Sequence, residues 1–299
     1  MVFLGLHPAV TSRLAGVIGF TFAYQTAFAL YSVPNKTEKF YDLAGSTGFI
    51  TSTLLSLYYP TVKSWLTKSS TTTASALSFS LANHHPRQLL VSAMMLLWAG
   101  RLGYYLVGRI AKHGSDSRFD DLKTKPAIFS GMWFGQALWV TLVGLPAFLV
   151  NSVPAAAHPA LGLKDFIGLG IWIAGLGFEV LADSEKAKWR KEKDEKKHEE
   201  KFISSGLWSL SRHPNYLGEV ILQNGPPLLA LTTPLPPTVK YLSFASPIFS
   251  YILLRYASGV PPLEESAEKK FGDTPEWKKY RNETSMFVPL PFGLGKGKI

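Results

Sequence analysis

The chain contains no cysteine, and only 17% of its 299 residues are charged. An ordinary soluble domain carries roughly 25% charge. Without cysteine there is no disulfide, no thiolate metal site and no cysteine nucleophile, and redox chemistry says nothing of the compartment. Acidic residues are scarce beside basic ones, 21 against 31, so the formal net charge is +10. No repeat is present. What the chain has instead is apolar mass: 46% hydrophobic and 13% aromatic residues, at a mean hydropathy of +0.10. That excludes disorder, a coiled coil and collagen. Two soluble domains would fit the length, but the low charge favours one membrane-embedded domain over residues 1–299. In such a chain, basic excess reflects cytosolic loops and anionic lipid rather than nucleic acid.

A membrane helix needs about 20 mostly apolar residues. Runs of that kind cover 14–31, 43–60 (rich in Ser and Thr), 88–108 (broken by Arg101), 127–150 and 166–182 (interrupted by Glu179). A sixth, 220–239, holds Pro226, Pro227, Pro234, Pro236 and Pro237, and a short seventh covers 241–254. The expected fold is an all-α polytopic membrane helix bundle of six or seven spans, the sixth the least regular because proline removes a helix donor. The first run lacks a basic segment before it and reads as a retained span. Lys and Arg number eight in 184–206, eight from Arg255 onward and five in 109–125, against one each in 151–165 and 232–240. Seven spans put the three basic stretches, and the C-terminal tail, on one side, the cytosolic one. Residues 60–86 would then lie outside, although they carry Lys63 and Lys68. The mixed-charge run 186–201 is expected as a solvated helical extension of the fifth span.

Chemistry concentrates in the segment Gly206-Leu-Trp-Ser-Leu-Ser-Arg-His-Pro-Asn-Tyr-Leu-Gly-Glu219. Pro214 suits the first position of a helix. Arg212 would then stand at a helix N-terminus, where free N–H groups and a guanidinium suit a phosphate. The competing reading is a juxtamembrane cap touching lipid headgroups. Asn215, Glu219 and Gln223 fall four apart and form a polar stripe, costly in a membrane. Asp183, Lys186 and Arg190 share a helix face, which fits either a nucleotide or a weak surface ion pair. Trp277 and Tyr280, in the tail after Arg255, suit a purine or, more commonly, the membrane interface. The cluster Gly168-Leu-Gly170-Ile-Trp-Ile-Ala-Gly175 has neither the strand nor the spacing of a nucleotide loop. Gly170 and Ala174 are expected to permit close helix packing. The seven histidines are scattered, and no metal site is expected.

The block Ser211-Arg-His-Pro-Asn-Tyr216 with Glu219 resembles the C-terminal signature of membrane steroid 5-alpha reductases and sterol reductases. Arg101 through Arg109 with Asp116-Ser-Arg118-Phe-Asp120, then Ala182-Asp183-Ser-Glu-Lys186, and Leu263-Glu264-Glu265 to Tyr280 with Phe287-Val-Pro289, resemble a branch with a steroid 5-alpha reductase C-terminal-like domain. The likeness covers roughly 36–289. It implies a helical reductase of the endoplasmic reticulum that uses NADPH, with residues 163–290 as the cofactor-binding region. By matching motif, Asp183, Lys186, Ser211, Arg212, Asn215, Tyr216 and Glu219 would line the cofactor pocket, with Arg255 and Tyr280 less firmly matched. The implied reaction reduces an activated C=C bond in a sterol, enone or enoyl lipid, with a protein acid polarising the carbonyl or protonating the second carbon. Asp42, Tyr104 and Glu179 are the candidate acids. The Arg-His-Pro-x-Tyr-x-Gly core also resembles membrane methyltransferases that use S-adenosylmethionine, for which Glu264-Glu265, Gly272 and Tyr280 would match. A non-enzymatic sterol- or lipid-binding protein is the third reading.

Overall fold

The structure, a computed structural model, describes residues 5–67, 79–113 and 119–288. It is all-α: no strand forms among the described residues, and extended pairing is confined to one bridge between Ser211 and Ser285. Among the described residues eleven α-helices follow in order. They are α1 (Pro8–Ser32), α2 (Tyr41–Thr67), α3 (Pro86–His113), α4 (Pro126–Ser152), α5 (Leu163–Asp194), α6 (Pro214–Gln223), α7 (Gly225–Leu231), α8 (Pro237–Leu242), α9 (Ala245–Ile252), α10 (Val260–Phe271) and α11 (Pro275–Glu283). Six of them open on proline, whose fixed φ and missing N–H suit the first helical position. Among the described residues four stretches are long and apolar enough to cross a membrane: Pro8–Ser32, Pro86–Leu106, Pro126–Ser152 and Leu163–Asp194.

The remaining expected spans differ. The second run does form a helix, and Pro60 lies within it beside non-helical dihedrals at Tyr58 (φ −97°, ψ 15°). The sixth run is not one helix. It divides into α6, α7 and the start of α8, because Pro226 and Pro227 open α7 and Pro236 and Pro237 open α8. The seventh run is split between α8 and α9. The charged run after the fifth span is also shorter than expected: α5 stops at Asp194, and Lys196 takes a left-handed φ of 57°. The chain then turns back on α5, with Trp189 Nε1 donating to Glu200 Oε2 at 2.6 Å and Lys193 Nζ to the Lys201 carbonyl at 3.1 Å.

The chain divides into two compact units, residues 1–168 with 226–246, and residues 169–225 with 247–299. In the first, α2 and α4 each pack on the other three of α1–α4. One apolar cluster gathers Ala44, Phe119, Phe129 and Trp133. The interior is also polar. Gln136 Nε2 donates to Gln25 Oε1 (2.9 Å) and to the Tyr41 carbonyl (3.0 Å). Thr21 and Ser52 share a hydrogen bond of 2.8 Å, and Asn151 Nδ2 donates to Ser56 (2.8 Å) and Ser92 (3.0 Å). Several hydroxyls of α2 bond back to their own helix, as Ser46 does to the Asp42 carbonyl at 3.0 Å. Thus a Ser/Thr-rich run can sit in an apolar setting. One latch closes this unit: Arg87 and Asp165, both fully buried, pair at 2.7 and 2.9 Å.

In the second unit the C-terminal part of α5 packs on α6, backbone against backbone. A Cβ on Gly175 would overlap the Leu222 backbone nitrogen, and one on Gly218 would lie 2.7 Å from the Glu179 nitrogen. Close packing was expected at Gly170 and Ala174. Gly170 in fact meets nothing within 4 Å. Gly175→Ala is therefore expected to destabilise by about 1–3 kcal/mol through overpacking, while Gly170→Ala is neutral or stabilising by roughly 0.5–1 kcal/mol. Thermal melting of the two variants in detergent checks the contrast.

Candidate functional site

The candidate site lies in the second unit and starts from Gly206. Its φ of +59° suits glycine, and a Cβ there would lie 2.5 Å from Glu185 Oε1. The turn lets the Leu207 N–H donate to Glu185 Oε2 at 2.9 Å. Trp208 follows as a hub. Its indole N–H donates to the Ala182 carbonyl (3.0 Å), and its own carbonyl accepts the Tyr280 hydroxyl (2.6 Å). Its ring carries the Lys186 ammonium 4.5 Å from the centroid, a cation–π contact. Burial pushes the Tyr280 phenol above its ordinary value, so it stays protonated and donates. Sequence reasoning did not single out Trp208. Its place four residues before Arg212 was the available signal.

Ser211, Arg212 and His213 turn inward. Ser211 Oγ donates to the Phe287 carbonyl at 2.7 Å. Arg212 is 4% exposed. It grips Glu264 through Nε (3.0 Å) and Nη2 (2.9 Å), and its Nη1 donates to the carbonyls of Arg281 and Thr284, each at 2.8 Å. His213 Nε2 lies 2.8 Å from Glu264 Oε1. Burial pushes the His213 imidazole below its ordinary value despite that acid, so the neutral ring donates through Nε2. Burial alone would raise the Glu264 carboxyl. The hydrogen bonds from His213 and Arg212, with the guanidinium charge, instead hold it at about 2. The expected convergence of the Arg212 guanidinium on a phosphate at the α6 N-terminus is thus not the arrangement seen. Arg212 ties residues 281–285 and α10 together.

Other expected residues come together beside this lock. Asn215 Nδ2 donates to Asp183 Oδ1 at 3.2 Å. The Tyr216 ring stacks on His213, 5.9 Å between centroids and 10° between planes. Gln223 Nε2 donates to Glu219 Oε1 at 2.9 Å along the α6 stripe. Arg255 stands over the Tyr256 ring at 4.8 Å. Trp277, expected at a membrane interface, is 4% exposed and packs on Phe202, as does Tyr280. Of the candidate acids, Glu179 is buried on α5 in this unit. Asp42 and Tyr104 belong to the first unit, where Tyr104 is 87% exposed. Residues 114–118, with Asp116 and Arg118, and the Arg109 side chain lie outside the described residues. Among the described residues no group of three or more His, Asp or Glu is placed to hold a metal.

Long apolar helices, with no strand among the described residues, define a membrane protein of the all-α class. Residues 30–284 match the family described as "Protein of unknown function (DUF1295)", and the chain belongs to that family. No curated protein and no solved structure matches the chain.

Proposed function

We propose that the protein is a membrane-embedded, NADPH-dependent reductase of an activated C=C bond in a lipophilic substrate such as a sterol, enone or enoyl lipid. We place it in the endoplasmic reticulum with a cytosolic C-terminus, where its three basic stretches would face anionic lipid. The observation that carries the reading is Lys186. This half-buried ammonium sits on the Trp208 face and forms no ion pair among the described residues. Such a cation suits a phosphate. One turn away, the Asp183–Asn215 pair suits ribose hydroxyls, and the Tyr216 ring offers an aromatic face. These donors fit a dinucleotide by chemistry, and Arg190 lies on the same helix face as Lys186. Arg212 does not join them, since its guanidinium is committed to Glu264 and two carbonyls. Its part, with Ser211, is to position the start of α6.

When bound, NADPH supplies hydride to the electron-poor carbon. The protein's share is to hold the dinucleotide through Lys186, Asp183 and Asn215, and to supply a proton to the second carbon. We assign that step to Glu179, which is buried on α5 a turn before Asp183.

Thermal melting of the detergent-purified protein with NADPH, NADH and S-adenosylmethionine in turn tests the reading. NADPH at a hundred times its Kd is expected to stabilise by about 2.7 kcal/mol. Lys186→Ala and Asn215→Ala should lose the shift while melting as cooperatively as the parent. A shift with S-adenosylmethionine alone makes the protein a methyltransferase. No shift with any of the three leaves a lipid- or sterol-binding protein without catalysis.

A further inference from the structure

The first unit carries two cations at one end without a counterion among the described residues. Residues 1–37 and 43–115 contain no Asp or Glu. Within that stretch Arg87 reaches Asp165, and nearby Lys123 reaches Glu38 and Asp120. Arg13 on α1 and Lys63 on α2 form no ion pair among the described residues. The one acid of α2, Asp42, is 21 residues from Lys63, or roughly 30 Å along the helix.

Adjacent residues of α1 link the two cations: Lys63 reaches Ser12, and Arg13 follows it in sequence. Lys63 Nζ lies 3.4 Å from Ser12 Oγ, and Tyr59 Oη donates to the Ser12 carbonyl at 3.2 Å. Arg13, the next residue, is half-buried, and its Nη1 donates to the Asn151 carbonyl at 3.4 Å. His84 faces the same place. Arg13's charge adds to burial in lowering its imidazole, and its Nε2 is buried with no hydrogen-bond partner.

The depth of this turn points to a membrane surface. α1 has 25 residues and is about 37 Å long, more than the ~30 Å hydrocarbon core. Arg13 falls about 8 Å from its start, and Lys63 sits four residues before the end of α2. Trp65 beside it is 75% exposed, as interfacial tryptophans are. A guanidinium at this level can reach the headgroup layer, where lipid anions lie. A phosphate offers oxygens to the guanidinium fork and a charge for the ammonium.

We propose that the Arg13–Lys63 end of the first unit binds an anionic phospholipid, whose phosphate seats between the two cations with the His84 Nε2 beside it. This accounts for Lys63 in the segment expected outside the cytosol, where a cation fits the charge pattern less well. The site is separate from the cofactor reading, which concerns residues of the second unit.

The test uses the full chain in detergent, titrated with phosphatidylglycerol, phosphatidylcholine or inorganic phosphate, and read by native mass spectrometry and by melting. One phosphatidylglycerol is expected to survive delipidation and to raise the melting temperature above that in phosphatidylcholine. Arg13→Gln and Lys63→Gln should each weaken retention about fivefold. Lys63→Glu, at an exposed side chain, should abolish it without loss of the fold. Equal retention of the two lipids, or retention unchanged in Lys63→Glu, overturns the proposal. A shift with inorganic phosphate equal to that with phosphatidylglycerol also overturns it, because it would make the ligand a free anion.

Discussion

Glu264→Ala is expected to cost about 3–5 kcal/mol and to free residues 281–287 from the rest of their unit, because it leaves a buried arginine uncompensated. Arg212 and Glu264 are 4% and 3% exposed. The remaining Arg212 bonds, to the carbonyls of Arg281 and Thr284, would orient the guanidinium without neutralising it. Arg212→Lys should be nearly as damaging, since an ammonium cannot hold both carboxylate oxygens and two carbonyls at once. A lower melting temperature together with new proteolytic cleavage near residue 284 would report the loss. A parent-like melt with parent-like protection would show that this pair does not hold the tail. The same lock sets a pH dependence. The Glu264 carboxyl, at about 2, lies below its unfolded value, so its stabilisation is complete above that value and is lost as pH falls toward 2. The lowered His213 acts in the same direction, because the unfolded imidazole takes up its proton first. Acid should therefore weaken the parent more steeply than Glu264→Ala.

The architecture was legible wherever one residue type repeats locally. Mostly apolar runs near 20 residues mark α1, α3, α4 and α5, since hydropathy sums over neighbours in sequence. The breaks in the sixth run were legible as prolines, although not their outcome as three separate helices. At the candidate site the block from Ser211 to Tyr216 stood out, and so did the facing pair Asp183 and Lys186. The partner of Arg212 did not. Glu264 lies 52 residues downstream, where its neighbour Glu265 carries the same charge but is exposed and pairs with Lys269. Spacing along one helix cannot choose between them; only the fold of α10 against α6 does. Gly175 escaped for a related reason. Helical periodicity marks small residues four apart, but which glycine meets a neighbouring backbone depends on where that neighbour crosses.

The Arg87–Asp165 latch was missed altogether, and it carries the other large expected effect. Each residue stands at the start of an apolar run, Arg87 before 88–108 and Asp165 before 166–182. An Arg and an Asp at the starts of the third and fifth apolar runs, which alternation would put on one side, were the signal available. Asp165 also accepts the Gly162 N–H (2.9 Å) and the Thr232 hydroxyl (3.1 Å), while Arg87 donates to the carbonyls of Pro159 and Ala160 at 3.1 Å. Four segments of the first unit therefore meet on one buried pair. Asp165→Ala is expected to cost about 3–5 kcal/mol, and Arg87→Ala a similar amount, each by stranding a charge. The double variant Arg87→Met/Asp165→Leu removes both charges at once. It should cost less than either single change, but not zero, because the two carbonyls and the Gly162 N–H lose their partners. Denaturant titration of the three variants separates the readings. If the double variant is as unstable as the sum of the singles, the pair acts through its hydrogen bonds to the 159–162 segment rather than through charge.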